Sequence, residues 1–437
     1  MNKTVVKLQD KSKMTNWITD NIVTLIFIFF TLFGFLVSQG IDINFFLTDL
    51  SERFFRNAFL VLSLIIPVIA GLGLNFGRVI GAMSGQIAIA IVRYFELGGF
   101  GGLMLCFLIA LPISAFLGFL TGLLYNKTRG QEMIASLIVG YFANGWYQFL
   151  FLFVVGGIIK VPANHPMIKP DGIGIRMSID LVDVKKGGLK DSLNSILEIP
   201  FMWAVLIVAL AILAIIGIKY MLDMKNNRKI SKMQKIMKFV NMGLCIIMIL
   251  ISIFAIVTNS KLMFIKKVPV ITALFIIALC LFTELIMKTK LGQDFKSVGQ
   301  NQHIAEVSGI NVDRTRIIAV IISTVLAAWG MIIYIQDMGT LNTYNAHTNI
   351  GLFSVASILV GGASTSKASI KNAVIGVILF NSMFIMSPEI GASVFGSPLL
   401  GEYFRTFMVY GVIGVALGLY VWKGNKKGKL TLENMEQ

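Results

Sequence analysis

Residues 290–316 read KLGQDFKSVGQNQHIAEVSGINVDRTR, a polar island between two long apolar runs. The local chemistry specifies a short helix held in a loop. Asn301 has the side chain of an N-cap, Gln302 to Ser308 give about two turns, and Gly309 is placed to stop the helix in a left-handed conformation. Asn311 is a second N-cap, and Asp313 falls in the first turn of the following helix, where the helix dipole favours a carboxylate. Such a helix either receives a partner at the membrane surface or only joins two spans. Residue chemistry by itself leaves both readings open.

The runs on either side belong to a longer series. The chain has 437 residues, 56% of them hydrophobic and 14% charged, with a mean hydropathy of +0.81. Apolar runs of about 20 residues cross a bilayer core as helices, because lipid offers no partner to exposed backbone groups. The continuous apolar runs exclude the alternating pattern of a membrane β-barrel. The expected fold is therefore all-α and polytopic, with spans near 21–38, 57–75, 79–95, 100–125, 133–159, 201–220, 239–258, 268–287, 317–336, 351–365, 372–388 and 404–422. The shorter runs read as broken or re-entrant segments, giving about ten to twelve crossings. Ile22 to Val37 reads as an uncleaved first helix. Cys106, Cys245 and Cys280 lie inside apolar runs without metal or pairing spacing.

The net charge of +16 does not imply a nucleic-acid partner, because the basic residues sit in short loops between spans. Lys3, Lys7, Lys11 and Lys13, then Lys127 and Arg129, the basic loop 219–238, the island, Lys367 and Lys371, and the C-terminal lysines all fall on one face if every run crosses. That face is cytoplasmic by the positive-inside rule, and both termini lie on it. The opposite loops are mixed or acidic, with Asp42, Asp49 and Glu52 in the first. The extracytoplasmic loop 160–200 reads as an ordered cap or gate, or as an inert insertion.

Two segments differ from ordinary lipid-facing helix. Ile69 to Ala90 carries Gly71, Gly73, Gly77, Gly81 and Gly85 with Asn75, Arg78 and Gln86, and Tyr344 to Ser366 carries Gly351, Gly361 and Gly362. Small residues let helices pack closely in lipid, and glycine-interrupted segments in both halves also mark a translocation path at an inverted-repeat interface. Candidate path residues are Asn75, Arg78, Gln86, Asn144, Tyr147, Trp329, Gly361 and Gly362, since amide and aromatic side chains suit uncharged, hydroxylated or heterocyclic solutes. Each has packing as its plain alternative. Glu132, Glu284 and Arg405 fall near predicted span ends, where long side chains reach the interface. No catalytic or metal constellation stands out, and GGASTSK at 361–367 lacks the spacing of a phosphate loop, so ATP chemistry has no site in this sequence.

The island and its flank, LGQDFKSVGQNQHIAEVSGINVDRTRIIAVIISTVLAAWGMIIY, resemble the permease subunits of ABC importers for simple sugars and nucleosides. That family carries an LG…AVG.N..AA..SGI loop, matched at Leu291, Gly292, Val298, Gly299, Asn301, Ala305, Ser308, Gly309 and Ile310. SILVGGAS at 357–364 is similar to its LLGG.S segment, and Asn75, Phe76, Gly85 and Gln86 partly match its FNIG.EGQM..GA stretch. The resemblance implies one transmembrane permease domain over 1–437 in the bacterial cytoplasmic (inner) membrane, with 290–316 as a cytoplasmic coupling loop. It also implies a coupling helix carried by Asn301, Ala305, Glu306, Ser308 and Gly309. No cofactor is expected on this chain; ATP would be used by a cytoplasmic ABC ATPase subunit. A second permease subunit, homo- or heterodimeric, and an extracytoplasmic binding protein or lipoprotein complete the implied assembly. Departures at Arg78 and Val79 and in the loops 160–200 and 219–238 leave a vitamin or amino acid open as solute. The rival class is an ion-coupled carrier, which would bury carboxylates in mid-span.

Overall fold

The computed structural model describes residues 21–37, 42–162, 165–169, 174–183, 188–225, 232–258 and 265–435. Lys3, Lys7, Lys11, Lys13, Arg228 and Lys229 of the proposed inner face lie outside the described residues. The chain is a helical bundle. Among the described residues eight helices are long and apolar enough to cross a membrane, and Asn21–Val37 (α1) and Ala346–Val360 (α13) are shorter apolar helices.

The expected span 57–75 is displaced. α2 runs from Ile43 to Leu62, capped by Asp42, whose carboxylate accepts from the Asn44 N–H at 2.9 Å. Asp49 and Glu52 are thus inside a helix and not in a loop. Asp49, Arg53, Arg56 and Asn57 follow one face at i, i+4 and i+7/i+8 spacing, so the helix survives this polarity by turning that face inward. After α2 come a short α3 (Ile65–Ile69), an unwound stretch with Gly71 and Gly73 at positive φ, and one 3-10 turn at Phe76–Arg78. α4 (Val79–Tyr94) follows. The glycine-rich segment is therefore a broken helix.

α5 (Gly99–Lys127) and α12 (Val312–Met338) form the central pair, and α4 packs against both. The contacts are made by small residues: a Cβ added at Gly81 or Gly85 would meet Thr324 O at 2.4 Å or Ala328 O at 2.6 Å. Gly118 and Gly122 of α5 face Ile321 and Ile317 with an added Cβ at 3.0 Å. Backbones this close are the usual device for helix association where lipid supplies no hydrophobic drive. α13 packs on α4, where Gly351 lies against Val79, so the two glycine-rich segments touch. α14 (Ile370–Phe395) packs on α2, α13 and α15 (Pro398–Met435).

The periphery is looser. α6 (Glu132–Phe149) continues as a wide turn to Ile158, interrupted at Val155 and Gly156. α7 (Phe201–Lys225) and α8 (Lys232–Val257) form a hairpin joined to the bundle by a small cluster around Met202, Ala255 and Ile265. α9 (Val270–Lys288) then leads to the island. The described residues of the loop 160–200 form a cap on the bundle. Its strand β1 (Ser178–Asp180) pairs antiparallel with β4 (Thr340–Asn342), and β2 (Glu198–Ile199) pairs with β3 (Val268–Pro269). The cap is thereby fastened to the end of α12 opposite the island, about 40 Å away along a 27-residue helix.

Candidate functional site

The island folds as two helices. α10 (Lys290–Gln300), absent from the sequence reading, is capped by Thr289 and buries Gly292, Phe295 and Val298 on one face. α11 (Gln302–Val307) is capped by Asn301, whose side chain accepts from the Ile304 N–H at 3.1 Å, and is closed by Ser308 and by Gly309 at φ +81°. Asn311 caps α12 through the Arg314 N–H at 2.9 Å. Ala305 turns inward onto Val298 and Val312, while Glu306 is exposed. Ile304 and Val307 are 62% and 78% exposed, so a rigid two-turn helix presents apolar side chains to the outside.

A buried clasp ties α11 to the bundle. Arg316 is fully buried; it donates to Glu132 at 2.6 Å, to the Tyr125 carbonyl at 3.1 Å and to the Gln302 side chain at 3.1 Å. Glu132 is thus an interior partner and does not reach the interface as expected. Beside the clasp Arg129 pairs with Asp313 at 2.5 Å. The hydrogen bond to Asp313 raises the Arg129 guanidinium above its ordinary range, and the charges of Asp313, Glu306 and Glu132 act in the same sense. Tyr125 continues the chain, its hydroxyl donating to Asn75 at 2.9 Å in the unwound stretch. A second route is steric: a Cβ on Gly299 would sit 2.0 Å from Ile69 O, so α10 abuts the end of α3.

The other predicted path residues divide into groups. Arg78 is fully buried and donates at 2.6 Å to the Leu60 carbonyl at the end of α2, which also accepts from the Ser63 hydroxyl at 2.7 Å. Gln86 donates to the Asn342 carbonyl at 2.8 Å and so holds β4. Asn144 accepts from His347 at 2.7 Å, and Tyr147 stacks on Phe151 and meets the His347 ring edge-on at 4.8 Å. Trp329 donates to the Phe107 carbonyl at 3.2 Å and locks α12 to α5. Gly361 and Gly362 make the tight turn after α13, where Asn372 donates to Gly361 O at 2.7 Å and an added Cβ at Gly361 would lie 1.8 Å from Asn372 O.

None of these eight lines the cavity between α2, α12, α13 and α14. Its volume is about 120 Å³. Arg53, Arg56, Asn57, Ser357, Asn381 and Phe384 are among its walls. The sequence reading missed it by placing the start of α2 outside the membrane. The signal was the helical spacing of Arg53, Arg56 and Asn57 in a segment bounded by aromatic and apolar residues.

At the far end of α12, Asn194 of the cap accepts from Thr272 at 2.6 Å and Gln336 at 3.1 Å, and donates to Asp337 at 2.9 Å. The Gln336 carbonyl accepts from the Asp191 N–H at 2.9 Å.

A broken-helix bundle with eight apolar helices long enough to cross a membrane among the described residues, an exposed capped helix on one end and a hydrogen-bonded cap on the other is the architecture of a polytopic membrane protein. The family model of branched-chain amino acid transport system permease components matches residues 46–416, and the chain belongs to that family. It is 32% identical over 161 residues to the xylose transport system permease protein of Haemophilus influenzae, covering 36% of this chain and 40% of the relative. It is 34% identical over 90 residues to a nucleoside ABC transporter permease protein of Lactococcus lactis, covering 20% and 25%. It is 32% identical over 114 residues to a probable ABC transporter permease protein of Escherichia coli, covering 26% and 34%. The chain thus matches less than half the length of each of these relatives. No solved structure matches it.

Proposed function

We propose that this chain is the membrane-spanning subunit of an ATP-driven ABC importer for a small polar solute of the sugar or nucleoside class. The observation that carries the reading is α11: a capped helix whose Ile304 and Val307 face outward is suited to a groove in a partner. Two relatives are named as permease proteins of ABC transporters, which supports an ABC ATPase subunit as the partner that hydrolyses ATP. A second permease subunit and an extracytoplasmic binding protein or lipoprotein complete the assembly. The distribution of basic residues supports a cytoplasmic position for α11, with Asn301, Ala305, Glu306, Ser308 and Gly309, and an extracytoplasmic one for the cap 160–200.

In this mechanism closure of the ATPase pair displaces α11. The Arg316 clasp and the contact of Gly299 with Ile69 pass the movement to the unwound stretch at 70–75, and the bundle switches between outward- and inward-facing states by rigid-body rotation. The test is co-purification from native membranes and uptake by the full transporter. Val307→Asp is expected to leave membrane insertion intact, to abolish co-purification of the ATPase and to stop uptake. Full uptake by Val307→Asp, or uptake by this chain without any ATPase, overturns the reading, and the second outcome marks an ion-coupled carrier.

A further inference from the structure

The cavity between α2, α12, α13 and α14 has a composition that selects a ligand class, and its assignment as a solute site rests on the permease reading. One side is aromatic. Phe353, Phe380 and Phe384 lie with ring centroids 4.8 to 6.1 Å apart. The other side is polar, formed by Arg53, Arg56, Asn57, Asn381 and Ser357.

The charges of this polar side are already matched. Arg53 pairs with Asp49 at 2.9 Å, and Arg56 lies 3.4 Å from Asp337 and 3.9 Å from Glu52. A charged solute would have to strip these pairs or enter unpaired, and both are costly away from water. The hydrogen-bonding groups, in contrast, are not all matched. Ser357 is 2% exposed and its hydroxyl has no partner among the described residues; neither has the buried Arg56 Nε. Asn57 donates to Asn381 at 3.2 Å, and Asn381 donates in turn to the Val377 carbonyl at 2.7 Å. This fixes the two amides and leaves the Asn57 carbonyl turned to neither. A buried polar group without a partner is destabilising, so its presence in a cavity wall points to a ligand that satisfies it.

We infer that this cavity is the solute site of the transporter and takes a neutral ring compound bearing several hydroxyls. The ring lies against the phenylalanines, and its hydroxyls bond Ser357, Arg56 Nε and the Asn57–Asn381 pair. Free sugars and nucleosides share this chemistry.

The test uses the full transporter carrying Ser357→Cys with Cys106, Cys245 and Cys280 replaced by Ser. A water-soluble thiol reagent is applied with and without D-xylose, D-ribose, uridine, adenosine, ribose 5-phosphate, leucine or glutamate. Cys modification is expected, and at least one of the four neutral ring compounds is expected to slow it, with the free sugars and the nucleosides as separate arms. The charged compounds are expected to leave it unchanged. Asn57→Ala should weaken that protection by about tenfold. Because the cysteine-free background need not fold, the thermal midpoint of the wild-type transporter is measured with the same panel. A rise with the same neutral compounds, lost in Asn57→Ala, is the second expected readout. An unreactive position 357 in folded protein, no protection and no thermal rise from any panel member, or protection only by charged compounds overturns the inference. Any of these with the ATPase still co-purifying leaves the permease reading standing. Protection without an ATPase overturns the permease reading and leaves the neutral-ring site.

Discussion

Arg316 is the residue on which the island end of the bundle closes. It has no exposed surface, and its partners come from α5, α6 and α11 at once. Removing one member of a buried pair strands the other charge, so Arg316→Ala is expected to lower stability by about 3–5 kcal/mol. A large fall in the thermal midpoint of the solubilised protein is the readout. Arg316→Met combined with Glu132→Leu should restore most of it, because removing both charges also removes the desolvation cost. A single variant that unfolds no earlier than wild type would show that Glu132 finds water when Arg316 is gone. The pair was hidden in the sequence because the two residues are 184 positions apart. Each taken alone reads as an ordinary charge near the end of a span. The caps Asn301 and Asn311 were legible for the opposite reason: an N-cap bonds two or three residues ahead, within the reach of local sequence.

At the level of elements, hydropathy located most of the helices but not the edges set by polar faces. α2 was shifted inward because Asp49, Glu52, Arg53 and Arg56 dilute its first half, whereas the apolar run 58–69 continues past the true break at Ser63. α10 was overlooked because its composition is polar. Its buried Gly292, Phe295 and Val298 at i, i+3 and i+6 were the available signal. The packing glycines of α4 make a sharper prediction. A side chain at Gly85 would run into the Ala328 backbone, so Gly85→Leu should separate α4 from α12 and leave the protein aggregated on gel filtration. Gly101→Ala in α5, where an added Cβ meets nothing within 4 Å, should be neutral or stabilising by up to about 1 kcal/mol. Equal behaviour of the two variants would show that the α4–α12 contact is not set by the glycines.

Across the whole molecule, the cap is joined to the bundle both by buried apolar side chains, among them Ile179, Leu181, Leu189 and Leu193, and by polar ones. Asn194 alone reaches α9, through Thr272, and α12, through Gln336 and Asp337. Asn194→Leu is expected to free the cap. Proteolysis within 160–200, with protease added from the cap side, should accelerate several-fold while the thermal midpoint of the bundle changes little. Unaltered cleavage would mean that the two short strand pairs hold the cap without it. The sequence showed that this loop was long and proline-rich, but not that it was fastened, since its anchors lie at Thr272 and Gln336, far along the chain.

α12 carries both fastenings. Arg316 near one end bonds α11, and Gln336 near the other bonds the cap, about 30 Å apart at 1.5 Å per residue. Between them, Thr324 and Ala328 are gripped by Gly81 and Gly85, and Ile317 and Ile321 by Gly122 and Gly118. The helix is held along residues 317–328, so the island and the cap, on opposite ends of the bundle, share one beam.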